Sequence, residues 1–197
     1  MEGLHREFLR AGSDVMQAFT YYASDDKLEH RGNTAGAKYT GRGINLAAAE
    51  IAKKVAAEGD ALVLGGISQC PSYLDHLGKA KVQHEFRKQV RVFVEAGLDF
   101  LLCEVNCQIY IFEKKNYFFM FEFTFISFLF FSIYFQYFEH IEEMEWAIQV
   151  CKETNLPVAA SMCIGPEGDL HGVSASECAV RMAKAGANVG NNIIIII

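Results

Sequence analysis

The sequence predicts an α/β fold built on a parallel sheet, and three features indicate this. Short apolar runs, typical of strands buried on both faces, alternate with amphipathic helical patterns. The helical patterns repeat their apolar residues at helical spacing. Four of these patterns end in a glycine shortly before an apolar run, because glycine adopts the left-handed conformation that stops a helix. These glycines are Gly12, Gly59, Gly97 and Gly186.

The predicted elements follow one another as a helix, a β-α-β-α-β series, an unusual apolar segment, and an α-β-α series. The clearest helical pattern carries Ile44, Ile51 and Val55 on one face. A capping box at residues 174–177 predicts the start of the last helix. The predicted strands are residues 15–19, 61–67, 100–103 and 157–163.

This alternation fits two architectures, an open doubly wound sheet and a closed barrel. No Gly-x-Gly-x-x-Gly motif follows a predicted strand, and Gly65-Gly66 indicates a tight turn more readily than a phosphate-binding loop. A closed barrel carries its functional residues at the C-terminal ends of its strands. In this chain those ends are residues 19–22, 67–69, 103–104 and 162–163.

Composition limits the classes of function. The chain has 197 residues, enough for one domain, and its net charge of −6 argues against a nucleic-acid-binding protein. It opens without a signal-peptide pattern, and its six cysteines form no Cys-x-x-Cys pair. We therefore expect a cytoplasmic protein with free thiols. Cys163 and Cys178 are predicted as core thiols, and His140 and His171 as surface or capping residues.

An apolar segment interrupts the pattern between residues 105 and 136. It holds ten of the 16 phenylalanines and contains no glycine, proline or alanine. Our hypothesis is a retained intron. Introns usually begin with GT and end with AG. Every valine codon begins with GT and the glutamine codon CAG ends with AG, so Val105 and Gln136 could mark the two boundaries. The alternative is a membrane anchor at residues 117–135, which are long enough to span a bilayer but include Glu122.

Long stretches outside this insert match a known pattern, namely residues 4–13, 15–17, 22–24, 26–29, 59–63, 137–140 and 162–172. On these stretches the chain resembles the homocysteine S-methyltransferase family, and specifically its betaine-using branch. The resemblance implies a (β/α)8 barrel that transfers a methyl group from betaine to homocysteine, with a zinc ion held by three cysteines. Zinc would favour the reactive thiolate of homocysteine.

The resemblance also implies roles for particular residues. Glu104 would hold the amino group of homocysteine. Tyr22 and Tyr137 would line the betaine site, because aromatic faces attract a quaternary ammonium. Tyr21 lies in the same loop, and Tyr22 favours betaine over S-methylmethionine, whose branch has serine there. In the family, the residues that match Glu104 and Tyr137 are adjacent.

The same resemblance implies that the chain forms a partial barrel, which we expect to be truncated at both ends. Residues 1–104 would form its first part, 105–136 the insert, 137–188 its continuation and 189–197 an aberrant tail. The family's zinc cysteine follows Lys-Ala-Gly-Ala, but here residues 184–187 lead into Asn188 and a tail of isoleucines. We expect no metal site and no catalysis in the chain as written. The intact family member is expected to be a homo-oligomer, and the alternative function is a non-catalytic fragment that binds partner subunits.

The intron hypothesis predicts the content of the transcript. Long-read sequencing across codons 104–137, and past codon 188, should show transcripts in which Glu104 joins Tyr137 and an Asn-Cys motif follows. Transcripts that all encode residues 105–136 would contradict the hypothesis.

Overall fold

The structure, a computed structural model, describes residues 1–20, 23–29, 34–104 and 140–194. It contains five parallel strands paired in chain order, which confirms the four predicted strands with small shifts at their ends. The fifth strand arises from the segment that the sequence set apart as a tail. The strands are β1 (Val15–Ala18), β2 (Leu62–Ile67), β3 (Phe100–Cys103), β4 (Val158–Ile164) and β5 (Val189–Ile194).

Seven α-helices connect or flank these strands in the described residues. The longer ones match the predicted amphipathic patterns, whereas two short helices and a 3-10 turn at Ala35–Ala37 have no clear sequence pattern. The helices are α1 (Glu2–Arg10), α2 (Asp25–Glu29), α3 (Gly41–Ala56), α4 (Pro71–Leu74), α5 (Lys79–Glu95), α6 (Ile141–Cys151) and α7 (Ala175–Ala185).

The strand order decides between the two architectures that the sequence left open. A doubly wound sheet reverses its order at a switch point, so that helices cover both faces. Here the order runs from β1 to β5 without reversal, and α1, α3, α5, α6 and α7 pack side by side in chain order. Because parallel crossovers are right-handed, such an order places the helices on one face of the sheet. The arrangement excludes a doubly wound sheet for the described strands and is consistent with a segment of a (β/α) barrel.

The hydrophobic core lies between the strands and this helical layer. Alternate strand residues are buried against the helices, among them Met16, Ile67, Leu101 and Met162. The intervening residues lie on the opposite face, where Leu62 is 50% exposed. This face would line the interior of a barrel.

Most of the predicted helix stops are confirmed. Gly12, Gly97 and Gly186 have φ values of 91°, 64° and 115°, in the left-handed region that glycine tolerates. At the end of α3 the prediction was wrong by one residue, because Asp60 rather than Gly59 takes the positive φ, at 57°. Aspartate is one of the few side chains that tolerate this conformation.

The tight turn expected at Gly65-Gly66 is absent, because both residues lie inside β2. Gly65 faces the helical layer, where a Cβ atom would come within 2.5 Å of Cγ of Phe93. The glycine therefore allows the ring of Phe93, which is fully buried, to pack directly on the strand backbone.

Within the described part of the chain, no helix is long and apolar enough to cross a bilayer. The insert at residues 105–136, which includes the segment 117–135, lies outside the described residues. So do Tyr21, Tyr22 and Tyr137, and the last three residues of the tail.

The packing of Gly65 predicts a loss of stability on enlargement. We expect Gly65→Ala to lower the free energy of unfolding by about 1–3 kcal/mol, because its Cβ would overlap Phe93. Gly3→Ala is the matched control, because a Cβ there meets nothing within 4 Å and alanine favours the helix. Urea denaturation measures both, and equal stabilities would contradict the packing argument.

Candidate functional site

The candidate site lies at the edge of the sheet where the parallel strands end. Glu104 directly follows β3, and the Nε2 atom of Gln17 on β1 donates a 3.0 Å hydrogen bond to its Oε2 atom. The strand β2 lies between them, because it pairs with both β1 and β3. The hydrogen bond therefore crosses over a whole strand.

Gly66 of β2 explains how this crossing is possible. A Cβ atom on Gly66 would lie 3.3 Å from the Nε2 atom of Gln17, closer than side chains ordinarily pack. Neighbouring strands lie about 4.8 Å apart, so a side chain at this position would stand in the path between β1 and β3. The missing side chain opens the route from Gln17 to Glu104.

Thr20 fixes the end of β1 beside this site. Its hydroxyl is buried and donates to the carbonyl of Gly66 at 2.9 Å, and it also lies 3.2 Å from the carbonyl of Ala18. The chain that leads toward Tyr21 and Tyr22 is thus tied to β2. The structure brings Glu104 together with Gln17, whereas the three predicted tyrosines lie outside the described residues.

A buried polar cluster lies beneath the neighbouring strand ends. Glu143 of α6 accepts a 2.9 Å hydrogen bond from the backbone amide of Cys70, and Asp26 accepts from the hydroxyl of Ser72 at 3.0 Å. Lys27 is buried in the same region. Burial lowers the pKa of Lys27 to about 8, although the charges of Glu143 and Asp26 oppose this effect.

Asp169, in the loop after β4, anchors the start of α6. Its carboxylate accepts hydrogen bonds from the backbone amides of Ile141, His171 and Val173, at 3.0, 2.8 and 2.9 Å. Burial raises the pKa of this carboxyl, but the three amide hydrogen bonds outweigh burial and hold the pKa below its usual value. The charge also suits the N-terminal end of a helix.

His140 precedes α6, as expected of a capping residue, but it is not on the surface. Its side chain is 9% exposed and makes no capping hydrogen bond. The ring lies 5.2 Å from Tyr73 and 4.7 Å from His171, between ring centroids. Burial, and then the nearby His171, lower the pKa of His140. Of the two expected alternatives, surface or capping residue, the capping position is the one found, since His140 is the N-cap residue of α6, and its side chain packs against these two rings.

The thiols of the described cysteines are free, as predicted, and they do not fit a zinc site. The Sγ atoms of Cys103 and Cys151 lie 3.6 Å apart inside the core. The hydrogen bond between the Cys151 and Cys103 thiols, and then burial, raise the pKa of Cys151, and burial raises the pKa of Cys178 to about 11. Zinc requires thiolates. In the described ranges no three His, Cys, Asp or Glu side chains could share a metal ion.

Sequence reasoning missed the role of Gln17, and one signal pointed to it. Gln17 is the polar residue within the apolar strand β1, at a position that alternates with the core residues Met16 and Ala18. A polar residue on the inner face of a short strand indicates a site residue. Asp169 and Glu143 gave no comparable signal, because their partners are backbone amides distant in sequence.

A parallel sheet in chain order, with helices on one face and a carboxylate at the strand ends, is an α/β arrangement consistent with part of a (β/α) barrel. Residues 1–124 match the family model described as Homocysteine S-methyltransferase, and the chain belongs to this family.

The chain is similar to proteins named betaine--homocysteine S-methyltransferase 1 from several animals. It is 51% identical to that of Xenopus laevis and 50% identical to that of Mus musculus, each over 94% of this chain and 38% of the relative. It is 49% identical to that of Sus scrofa, over 94% of this chain and 55% of the relative. The chain therefore spans less than two thirds of each of these relatives.

The anchoring of α6 by Asp169 predicts the effect of removing its charge. We expect Asp169→Asn to lower the free energy of unfolding by about 2–3 kcal/mol, because buried amides lose a charged acceptor. The folded pKa of Asp169 is lowered, so its contribution is present near neutral pH and is lost on acidification below about pH 4. The variant should therefore show a weaker acid dependence of stability.

The control is Asp60→Asn, at an exposed residue with positive φ that asparagine also tolerates. We expect its effect to stay within about 0.5 kcal/mol. Equal losses in the two variants, measured by urea denaturation at several pH values, would argue against the anchoring role.

Proposed function

We propose that the site of this chain is derived from one that transfers a methyl group from betaine to homocysteine, the reaction that the names of its relatives describe. The observation that supports this most directly is the carboxylate of Glu104, positioned at the C-terminal edge of the sheet. Active sites of (β/α) barrels lie at this edge. A carboxylate there is suited to a substrate with an ammonium group.

In this proposal Glu104 binds the amino group of homocysteine. Tyr22 and Tyr137 contact the quaternary ammonium of betaine, and Tyr21 completes the same loop. The three tyrosine assignments are supported by the family resemblance alone. A zinc ion held by three cysteines supplies the thiolate in the family, and the described residues of this chain do not offer these ligands.

We infer that the chain with this exact sequence binds homocysteine weakly and does not complete methyl transfer. The zinc-ligand motif expected after residues 184–187 is replaced by residues 188–197. In addition, 32 residues separate Glu104 from Tyr137. Displacement of a catalytic group by about 1 Å can cost roughly 100-fold in rate. We also propose a cytoplasmic location and, for the intact family member, assembly into a homo-oligomer.

A non-catalytic role as a subunit-binding fragment is the second candidate, and the edges of the sheet favour it. In the described part of the chain, β1 and β5 each pair with a strand on one side only. Such edges offer unpaired backbone groups to a strand of another copy. Homocysteine binding separates the candidates, because a purely structural fragment would show none.

The role of Glu104 predicts a specific loss of affinity. We expect Glu104→Gln to weaken homocysteine binding to the 197-residue chain at least about tenfold, because an ionic hydrogen bond to the ammonium is lost. The measurement is a titration with reduced homocysteine, followed by NMR. The control Glu50→Gln changes an exposed glutamate on α3 and should bind as the unchanged chain does. Unaltered binding by Glu104→Gln would contradict the proposed function.

A further inference from the structure

Two thiols meet inside the core, between the sheet and the helical layer. Cys103 is the last residue of β3 and Cys151 is the last residue of α6, and their Sγ atoms lie 3.6 Å apart. Both side chains are fully buried in the main hydrophobic cluster. The two residues are 48 positions apart in sequence, so tertiary packing brings them together. The proposed function uses neither of these thiols.

The separation of the two sulfur atoms is close to that of a covalent bond. A disulfide bond is about 2.05 Å long, so the two Sγ atoms need to approach each other by roughly 1.5 Å. Cys178 is also buried, but its Sγ atom lies 3.5 Å from the carbonyl oxygen of Val173. Among the described cysteines, Cys103 and Cys151 are therefore the pair placed to react with each other.

The surroundings of this pair favour a neutral product. The hydrogen bond between the two thiols, and then burial, raise the pKa of Cys151, so its sulfur stays protonated and uncharged at neutral pH. A disulfide has no charge and no hydrogen-bond donor, and it suits the apolar core for that reason. Because thiol–disulfide exchange depends on access, a disulfide formed here would be reduced slowly.

We propose that Cys103 and Cys151 form an oxidation site, at which hydrogen peroxide converts the two thiols into a disulfide that ties β3 to α6. In the first step one sulfur attacks a peroxide oxygen, the O–O bond breaks, and a sulfenic acid and one water are formed. The second sulfur then attacks the first, the S–O bond breaks, and a second water leaves. The two thiols together lose two hydrogen atoms, and the peroxide is reduced to two waters.

The disulfide would close the chain between β3 and α6 into a loop. This loop contains residues 104–150, and therefore the whole insert at residues 105–136. A cross-link between distant residues removes conformational freedom from the unfolded chain and so stabilises the folded one. Where thiol reductants are in excess the pair stays reduced. Oxidation would thus secure the contact between strand and helix on either side of the insert.

The test maps the disulfides that hydrogen peroxide produces in the 197-residue chain. The folded chain and the chain in concentrated urea are oxidised in parallel, the remaining thiols are blocked with N-ethylmaleimide, and linked peptides are identified by mass spectrometry without reduction. In the unfolded chain the thiol nearest to Cys103 in sequence is Cys107, and short loops close most readily. We expect the Cys103–Cys107 link to predominate in urea and the Cys103–Cys151 link to predominate in the folded chain.

Two variants and a stability measurement complete the test. Cys151→Ala should abolish the link to Cys103. Cys178→Ala is the matched control, because it also removes a buried thiol but leaves the reacting pair intact, and it should form the Cys103–Cys151 link as the unchanged chain does. Oxidation should raise the Tm of the unchanged chain and of Cys178→Ala by about 5–10 °C, and should not raise that of Cys151→Ala.

The opposite outcomes are equally defined. If the folded chain gives the same pattern of links as the chain in urea, or joins Cys103 mainly to another cysteine, the fold does not create this oxidation site. If the Cys103–Cys151 link forms but leaves the Tm unchanged, it does not secure the strand to the helix. Mapping needs only the unchanged chain, so a variant that fails to fold does not affect it. The proposed function is tested separately, by homocysteine binding.

Discussion

The candidate site depends on one constraint, the pairing of five parallel strands in chain order. Because every strand runs in the same direction, all C-terminal ends meet at one edge, and the crossovers leave the helices on one face. Gln17 and Glu104 are 87 residues apart in sequence, yet this topology brings their side chains within 3.0 Å. The site is thus a consequence of the fold before it is a consequence of any local motif.

Glycine has two distinct uses within the single strand β2. Gly65 faces the helices and admits the ring of Phe93, whereas Gly66 faces the other side and leaves the path from Gln17 open. Alternation of strand residues between the two faces gives adjacent glycines these separate roles. The same pair of residues therefore serves core packing on one side and the candidate site on the other.

The elements whose residues follow a local pattern could be predicted from sequence. The strands and the long helices were predicted in this way. The start of α7 was also predicted, and there the hydroxyl of Ser174 accepts a hydrogen bond from the backbone amide of Glu177. The position of Glu104 at a strand end was also predictable. Contacts set by tertiary packing could not be predicted, such as the hydrogen bond from the backbone amide of Cys70 to Glu143. The positive φ of Asp60 likewise depends on how the turn after α3 meets β2.

The anchoring of α6 by residues from elsewhere has a consequence for how the barrel tolerates insertion. The carboxylate of Asp169 accepts a hydrogen bond from the backbone amide of Ile141, the first residue of α6, and Glu143 of α6 accepts one from the backbone amide of Cys70. These contacts hold the helix in place, so its position does not depend on the length of chain that leads into it. For a flexible connection, each doubling of length costs only about 0.6 kcal/mol in loop-closure entropy. On this basis, lengthening a connection of a few residues to several tens would cost about 2 kcal/mol. Added length at the junction between β3 and α6 is therefore compatible with the position that these contacts give the helix.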